Sequence, residues 1–366
     1  MKKVISLILV VLMSVCLLAS CGEQPVDEFE TPDSTVVVES EEVSSEEQNE
    51  QEQIPGYTGV LNPITGLYDL TPSAEGSRYY TMMIGNTNEA LPQLGISNAD
   101  MIYEMLVEGG ITRLMAFYAD IDKVGDAKIG SCRSARTNFV STAYGYDALF
   151  GHFGGSKSGY EMIKSNKVND LDGFTNYEPY FWRDAWRKEH MAVEHSALTS
   201  GTQLKALAEK KGYRLTRKEP ESTAFKFNTD GDVSVNGTTS DATSVSVKFS
   251  NYMTCGFEYD AESGVYKKLR KGQPHIDGNN NEQLAFKNVL VIYDHHGYEE
   301  DNLHIVVQQK AGEGIYFCDG KAVPITWSKG AVKNPYKFMT ADGKDLLVSP
   351  GKTYVGVVRL TAEITY

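Results

Sequence analysis

Residues 101–108 and 111–119 are two strand-like, mostly apolar runs with a few charges, Glu104, Glu108 and Arg113, joined by Gly109-Gly110. This constrains the fold more than any other stretch. Two glycines can both take positive φ, so they favour a tight turn between antiparallel strands. A two-residue turn pairs Glu108 with Ile111, Leu106 with Arg113 and Glu104 with Met115. Side chains alternate along a strand, so this register puts Glu104, Leu106, Glu108 and Arg113 on one face. Tyr103, Met105, Val107 and Leu114 then face the core. Four residues of strand separate the α-carbons of Glu104 and Glu108 by roughly 13 Å. That is too far for a glycosidase carboxyl pair, so ion pairing with arginines is the expected role.

The partners are at hand in Gly130-Ser131-Cys132-Arg133-Ser134-Ala135-Arg136, just before a predicted helix over 138–148. Arginine at a helix start opposes the macrodipole and calls for an anion. Glu104 and Glu108 can supply it internally, or a ligand carboxylate or phosphate can supply it from outside. Cys132 beside Arg133 has the setting of an activated thiol, with His152 or His195 as a base, although a buried small side chain is the simpler expectation. His152 precedes Phe153-Gly154-Gly155-Ser156, a strand-to-helix turn able to orient a ligand. Residues 171–196 hold Phe174, Tyr177, Tyr180, Phe181, Trp182 and Trp186 among Arg183, Asp184, Arg187 and His195, a composition suited to covering a cleft or wedging two halves together. No His and carboxylate spacing matches a zinc motif and no phosphate-binding glycine motif occurs, so neither metal nor cofactor is expected.

The formal charge of the 366 residues is −14, but 12 acids and no Lys or Arg fall between Gly22 and Ile54. The rest is close to balance. A basic nucleic-acid footprint is missing, and nucleic acid is not an expected partner. Residues 1–20 read as a signal peptide: Lys2-Lys3, an apolar run over 4–18 that is short for a bilayer span, then Leu18-Ala19-Ser20-Cys21. An aliphatic and two small residues before Cys21 resemble a bacterial lipobox, which makes Cys21 the lipidated first residue and the membrane the first partner. Two acyl chains on that thiol suffice for stable anchoring. Residues 21–55 then form an acidic tether, reaching roughly 110 Å when stretched. Cys132, Cys255 and Cys318 are no disulfide framework.

Beyond the tether, residues 56–213 mix strands (79–84, 149–153) with helices (159–165, 202–211). A polar connector covers 214–224. Residues 225–366 alternate β-branched and aromatic runs with turns at Asp230-Gly231, Asn236-Gly237, Ser263-Gly264, Asp319-Gly320 and Asp342-Gly343. The expected class is α+β, a mixed sheet with flanking helices in the first half and a β-rich second half.

Several segments together resemble the YerB-like family of bacterial lipoproteins. They are Asn62-Pro63-Ile64-Thr65-Gly66-Leu67, Gly95-Ile96-Ser97-Asn98-Ala99-Asp100, Glu108-Gly109-Gly110-Ile111-Thr112-Arg113, the Gly130–Arg136 run and Gly154-Gly155-Ser156. Gly272-Gln273-Pro274-His275-Ile276-Asp277, Trp327 and Pro350-Gly351-Lys352-Thr353 extend the match to the second half. The resemblance implies an extracytoplasmic lipoprotein of α+β architecture and implies no activity. The family pattern is usually apolar where Cys132 stands, and it has Pro-His-Asn where this chain has Glu194-His195-Ser196. The expected function is a membrane-anchored binding or scaffold module for a small anionic or cell-envelope ligand or a protein partner. Its candidate site is Glu104, Glu108, Arg113, Arg133 and Arg136, with His152, Ser156 and His195 at the rim. The alternatives are an envelope hydrolase or transferase using a His/carboxylate site, and a protein-interaction platform on the β-rich half.

Overall fold

The computed structural model describes residues 58–218 and 225–366. The signal peptide, Cys21, the tether and part of the connector lie outside the described residues. In the first half, β1 (Tyr80–Gly85), β2 (Met101–Leu106) and β3 (Thr112–Tyr118) form an antiparallel core. β4 (Lys128–Gly130), α1 (Thr137–Gly145), β5 (Leu149–His152) and α2 (Lys157–Asn166) follow. β6 (Asp170–Asp172), β7 (Trp182–Arg183), α3 (Ala185–His190), β8 (Ala197–Ser200) and α4 (Gly201–Lys210) complete this half. The helices start where short polar side chains cap them. Ser156 Oγ accepts the Gly159 amide at 3.1 Å, and Ser200 Oγ accepts that of Gln203 at 3.3 Å. On α4, Leu204, Leu207 and Ala208 recur at helical spacing and are the buried stripe.

The second half supplies a meander of β9 (Ser244–Lys248), β10 (Thr254–Asp260) and β11 (Val265–Arg270). It also supplies β12 (Asn288–Asp294), β13 (Ala311–Cys318), β14 (Lys321–Ser328) and β15 (Thr353–Arg359). The meander is a separate sheet with one buried face, on which Val245, Val247, Cys255, Phe257, Tyr266 and Lys268 are covered. The principal sheet runs β14-β13-β12-β15-β2-β3-β1-β5-β6, so strands from both halves share one hydrogen-bonded layer. The join is β15, parallel to β12 on one side and to β2 on the other. This is the α+β architecture expected, with the α-helices of the described residues all in the first half and strands dominating the second.

The hairpin corrects the expected register. Met105 faces Arg113, Glu104 faces Leu114, and the Val107 amide bonds to the Ile111 carbonyl, leaving three residues in the turn. Gly109 and Gly110 both have positive φ, 69° and 74°, which serves a three-residue turn as readily as a two-residue one. An odd turn length inverts the parity of β3 relative to β2. Arg113 therefore shares a face with Met105, and Leu114 joins Glu104. The alternation was also no guide to the core, because every residue of β2 is buried: it lies between β15 and β3, with both faces covered.

Candidate functional site

The parity change divides the expected charge cluster. Glu108, at the start of the turn, faces Arg113 at 2.8 Å, and Arg136 caps it with both Nε, at 3.0 Å, and Nη2. Burial alone would raise the Glu108 pKa, but Arg113 and Arg136 outweigh it and hold the carboxyl at about 2. Arg113 also donates to the Ser134 carbonyl at 2.7 Å, which ties the turn to the 130–136 segment. Glu104 is elsewhere. Its fully buried carboxylate accepts from Asn86, Thr112 and Tyr354 and pairs with Lys268.

Alongside the Glu108 cluster lies a cavity of about 330 Å³ lined by Arg133, Phe153, Tyr160, Phe174, Arg183 and Glu194, with Gly154-Gly155 at its base. Asp172 at the end of β6 ties together three of its walls. Asp172 Oδ1 accepts the amides of Gly154 and Phe174, each at 2.9 Å, and Oδ2 accepts the Tyr160 hydroxyl at 2.9 Å. Arg183 stacks over the Phe153 ring at 4.9 Å. Arg133 Nη1 bonds to the Glu194 carbonyl at 3.0 Å, and Arg183 Nη1 bonds to the Val193 carbonyl and to Ser196 Oγ. Neither Arg133 nor Arg183 has a carboxylate within ion-pair distance among the described residues, and the Glu194 side chain is exposed.

Of the expected site residues, Arg133 lines this cavity. Glu108, Arg113 and Arg136 buttress it through Ser134, and Ser156 caps α2 behind it. His152 is fully buried beneath the glycine turn, its Nδ1 2.8 Å from the Gly154 carbonyl and its Nε2 3.4 Å from Asp170. His195 is buried, with its pKa lowered by burial and by Arg133. Among the described residues neither ring bonds to a hydroxyl or a thiol, and His152 instead lies beside Asp170 and Asp172. Cys132 is buried and donates to the Ile129 carbonyl, and burial raises its pKa, the opposite of an activated thiolate. Sequence reasoning missed Asp172 and Tyr160 as site members; Phe153 was named only as part of the glycine turn, and Arg183 and Phe174 only as part of the aromatic 171–196 stretch. One further group, Glu299, Asp301 and His304, brings three potential metal-ligating atoms within 4.8 Å of one another.

Residues 64–214 match the family model described as "Protein of unknown function (DUF3048) N-terminal domain", and residues 245–355 match that of its C-terminal domain. The chain belongs to the DUF3048 family. A curated DUF3048 relative, "Putative lipoprotein YerB" of Bacillus subtilis, is 28% identical over 300 residues, covering 81% of this chain and 85% of its own. The crystal structure of the Bacillus subtilis YerB protein superposes with a TM-score of 0.71 at 25% identity, covering 84% of this chain and 99% of that one. The DUF3048 N-terminal match takes in every residue lining the cavity. No helix among the described residues is long and apolar enough to cross a membrane.

Proposed function

We propose that the chain is a lipoprotein anchored through Cys21 on the extracytoplasmic face, whose body binds a small anionic ligand of the cell envelope. The anchor rests on the lipobox of the sequence together with the lipoprotein name of the relative. One observation carries the binding reading: Arg133 and Arg183 line an aromatic-walled cavity, hydrogen-bonded to backbone carbonyls and a hydroxyl and, for Arg183, stacked on Phe153, with no carboxylate in ion-pair contact among the described residues, so each guanidinium can still pair with a ligand anion. Phe153, Tyr160 and Phe174 offer flat apolar surface for a sugar ring or a similar group. A carboxylate or phosphate between the two guanidiniums would form charge-assisted hydrogen bonds.

Two experiments test this. Detergent-solubilised full chain is melted with N-acetylmuramic acid, glycerol 3-phosphate or inorganic phosphate. A rise in melting temperature is expected, and it should vanish in the Arg133→Ala/Arg183→Ala double variant while cooperative unfolding persists. Loss of two charge-assisted bonds corresponds to at least roughly 100-fold weaker binding; an undiminished rise in the variant would refute the site. For the anchor, cells fed an alkyne-labelled fatty acid should label the wild-type chain and leave Cys21→Ser unlabelled. Equal labelling of both would reject lipidation at that thiol.

A further inference from the structure

The proposed pocket makes no use of a buried polar chain that joins the two sheets. Glu104 on β2 and Lys268 on β11 are both fully buried, with Lys268 Nζ 3.3 Å from Glu104 Oε2. Strand parity explains the inward lysine: Tyr266, Lys268 and Arg270 alternate inward while Lys267 faces out. Phe257 and Tyr354 flank the ammonium, with ring centroids 5.9 and 5.5 Å from Nζ. His275 Nδ1 lies 3.2 Å from the same Nζ, and His275 Nε2 lies 3.1 Å from Gln93 Oε1. Gln93 Oε1 can only accept, so the ring carries its proton on Nε2 and turns a lone pair toward the lysine.

We propose that Lys268 and Glu104 condense into an intramolecular amide that ties the two sheets together covalently. Each element of such a reaction is in place. The neutral amine and acid differ from the ion pair only by one proton moved between Nζ and Oε2, which lie 3.3 Å apart. The amine nitrogen is held against the carboxyl group it would attack, which removes the entropic cost of bringing the two together. Glu104 Oε1 accepts from Asn86 Nδ2 at 3.0 Å and Thr112 Oγ1 at 2.7 Å, donors that would hold the oxyanion of a tetrahedral intermediate. Oε2, the departing oxygen, accepts the Tyr354 hydroxyl at 2.9 Å. The Nζ lone pair forms the bond to Cδ, and one Nζ proton passes to His275 Nδ1. The Cδ–Oε2 bond breaks, and the oxygen leaves as water with the carboxyl proton and the proton returned by His275. Nothing is oxidised or reduced, and the histidine is regenerated. Burial drives the His275 pKa well below its ordinary value, which keeps the ring neutral before the step.

The test is a proteolytic digest of the full chain read by tandem mass spectrometry. A branched peptide joining the Glu104 and Lys268 segments, one water lighter than their sum, is the expected product. It should be absent from K268R and should accumulate more slowly in H275A after refolding. Recovery of the two segments only as separate peptides overturns the proposal, and so does a link to Asn86, which would be one ammonia lighter. The wild-type digest decides the question even if a variant fails to fold.

Discussion

Lys268→Met removes both the proposed link and the cation beside the buried Glu104 carboxylate, and is expected to lower the stability of the protein by at least about 3–5 kcal/mol, the cost of stranding a buried charge whose partner has gone. The partner is Glu104, which has no exposed surface from which to recruit water. The loss should exceed that of any surface lysine substitution, where exposed pairs contribute about 0–1 kcal/mol. Lys205 with Asp122, both about one-third exposed, is the natural control. Denaturant unfolding of Lys268→Met beside Lys205→Met checks the ranking. Equal losses would mean that the buried pair contributes nothing special. Glu104→Gln/Lys268→Met should recover part of the deficit, because the remaining amide can still bond to Thr112 and Tyr354 without a net charge.

The second large effect concerns Glu108. Its folded pKa of about 2 lies below the ordinary 4.5, so the native state binds this proton less readily than the unfolded chain. The stabilisation is therefore complete above pH ~4.5 and is lost as the pH falls toward ~2. Partial exposure of the side chain reduces the pKa gap to a contribution of about 2 kcal/mol. Glu108→Gln should cost that amount near neutral pH, and the two unfolding curves should converge as the pH approaches ~2. A constant difference across the acid limb would show that the loss comes from packing and not from ionisation. Arg113 and Arg136 would face each other without the intervening anion in this variant, and like charges would push the 130–136 segment away from the turn.

Much of the fold was legible because its signals are local. The Gly109-Gly110 hairpin, the helix over 202–211 and the Asp-Gly and Asn-Gly turns of the second half all appear where residue type demands them. What was not legible is what two glycines leave open. A turn of two, three or four residues fits them equally, yet only the odd length moves Arg113 off the face of Glu104, and that one residue divides the expected site into two. The cavity was half visible: Arg133 and the glycine turn carry local signals, while Arg183 and Phe174 reach it only through folding of the 171–196 loop. Asp172 could not be found from sequence, because one aspartate serving Gly154, Phe174 and Tyr160 is a property of three elements meeting. The quoted Gly272–Asp277 motif has a similar lesson. Asp277 accepts the amides of Gly95 and Ser97, and His275 bonds to Gln93, so this motif and the 95–100 motif meet in a seam between the two halves.

The position of β15 has a consequence for how the chain is made. Its register partner is β2, which stands about 250 residues earlier, and until Thr353–Arg359 has been synthesised the open edge of β2 presents unpaired backbone groups. If export proceeds from the N-terminus, the first half emerges with the middle of its sheet unsealed and must stay unaggregated while more than a hundred further residues cross. Loss of the last fourteen residues would therefore leave a gap at the centre of the molecule, where a comparable truncation of most proteins trims an edge.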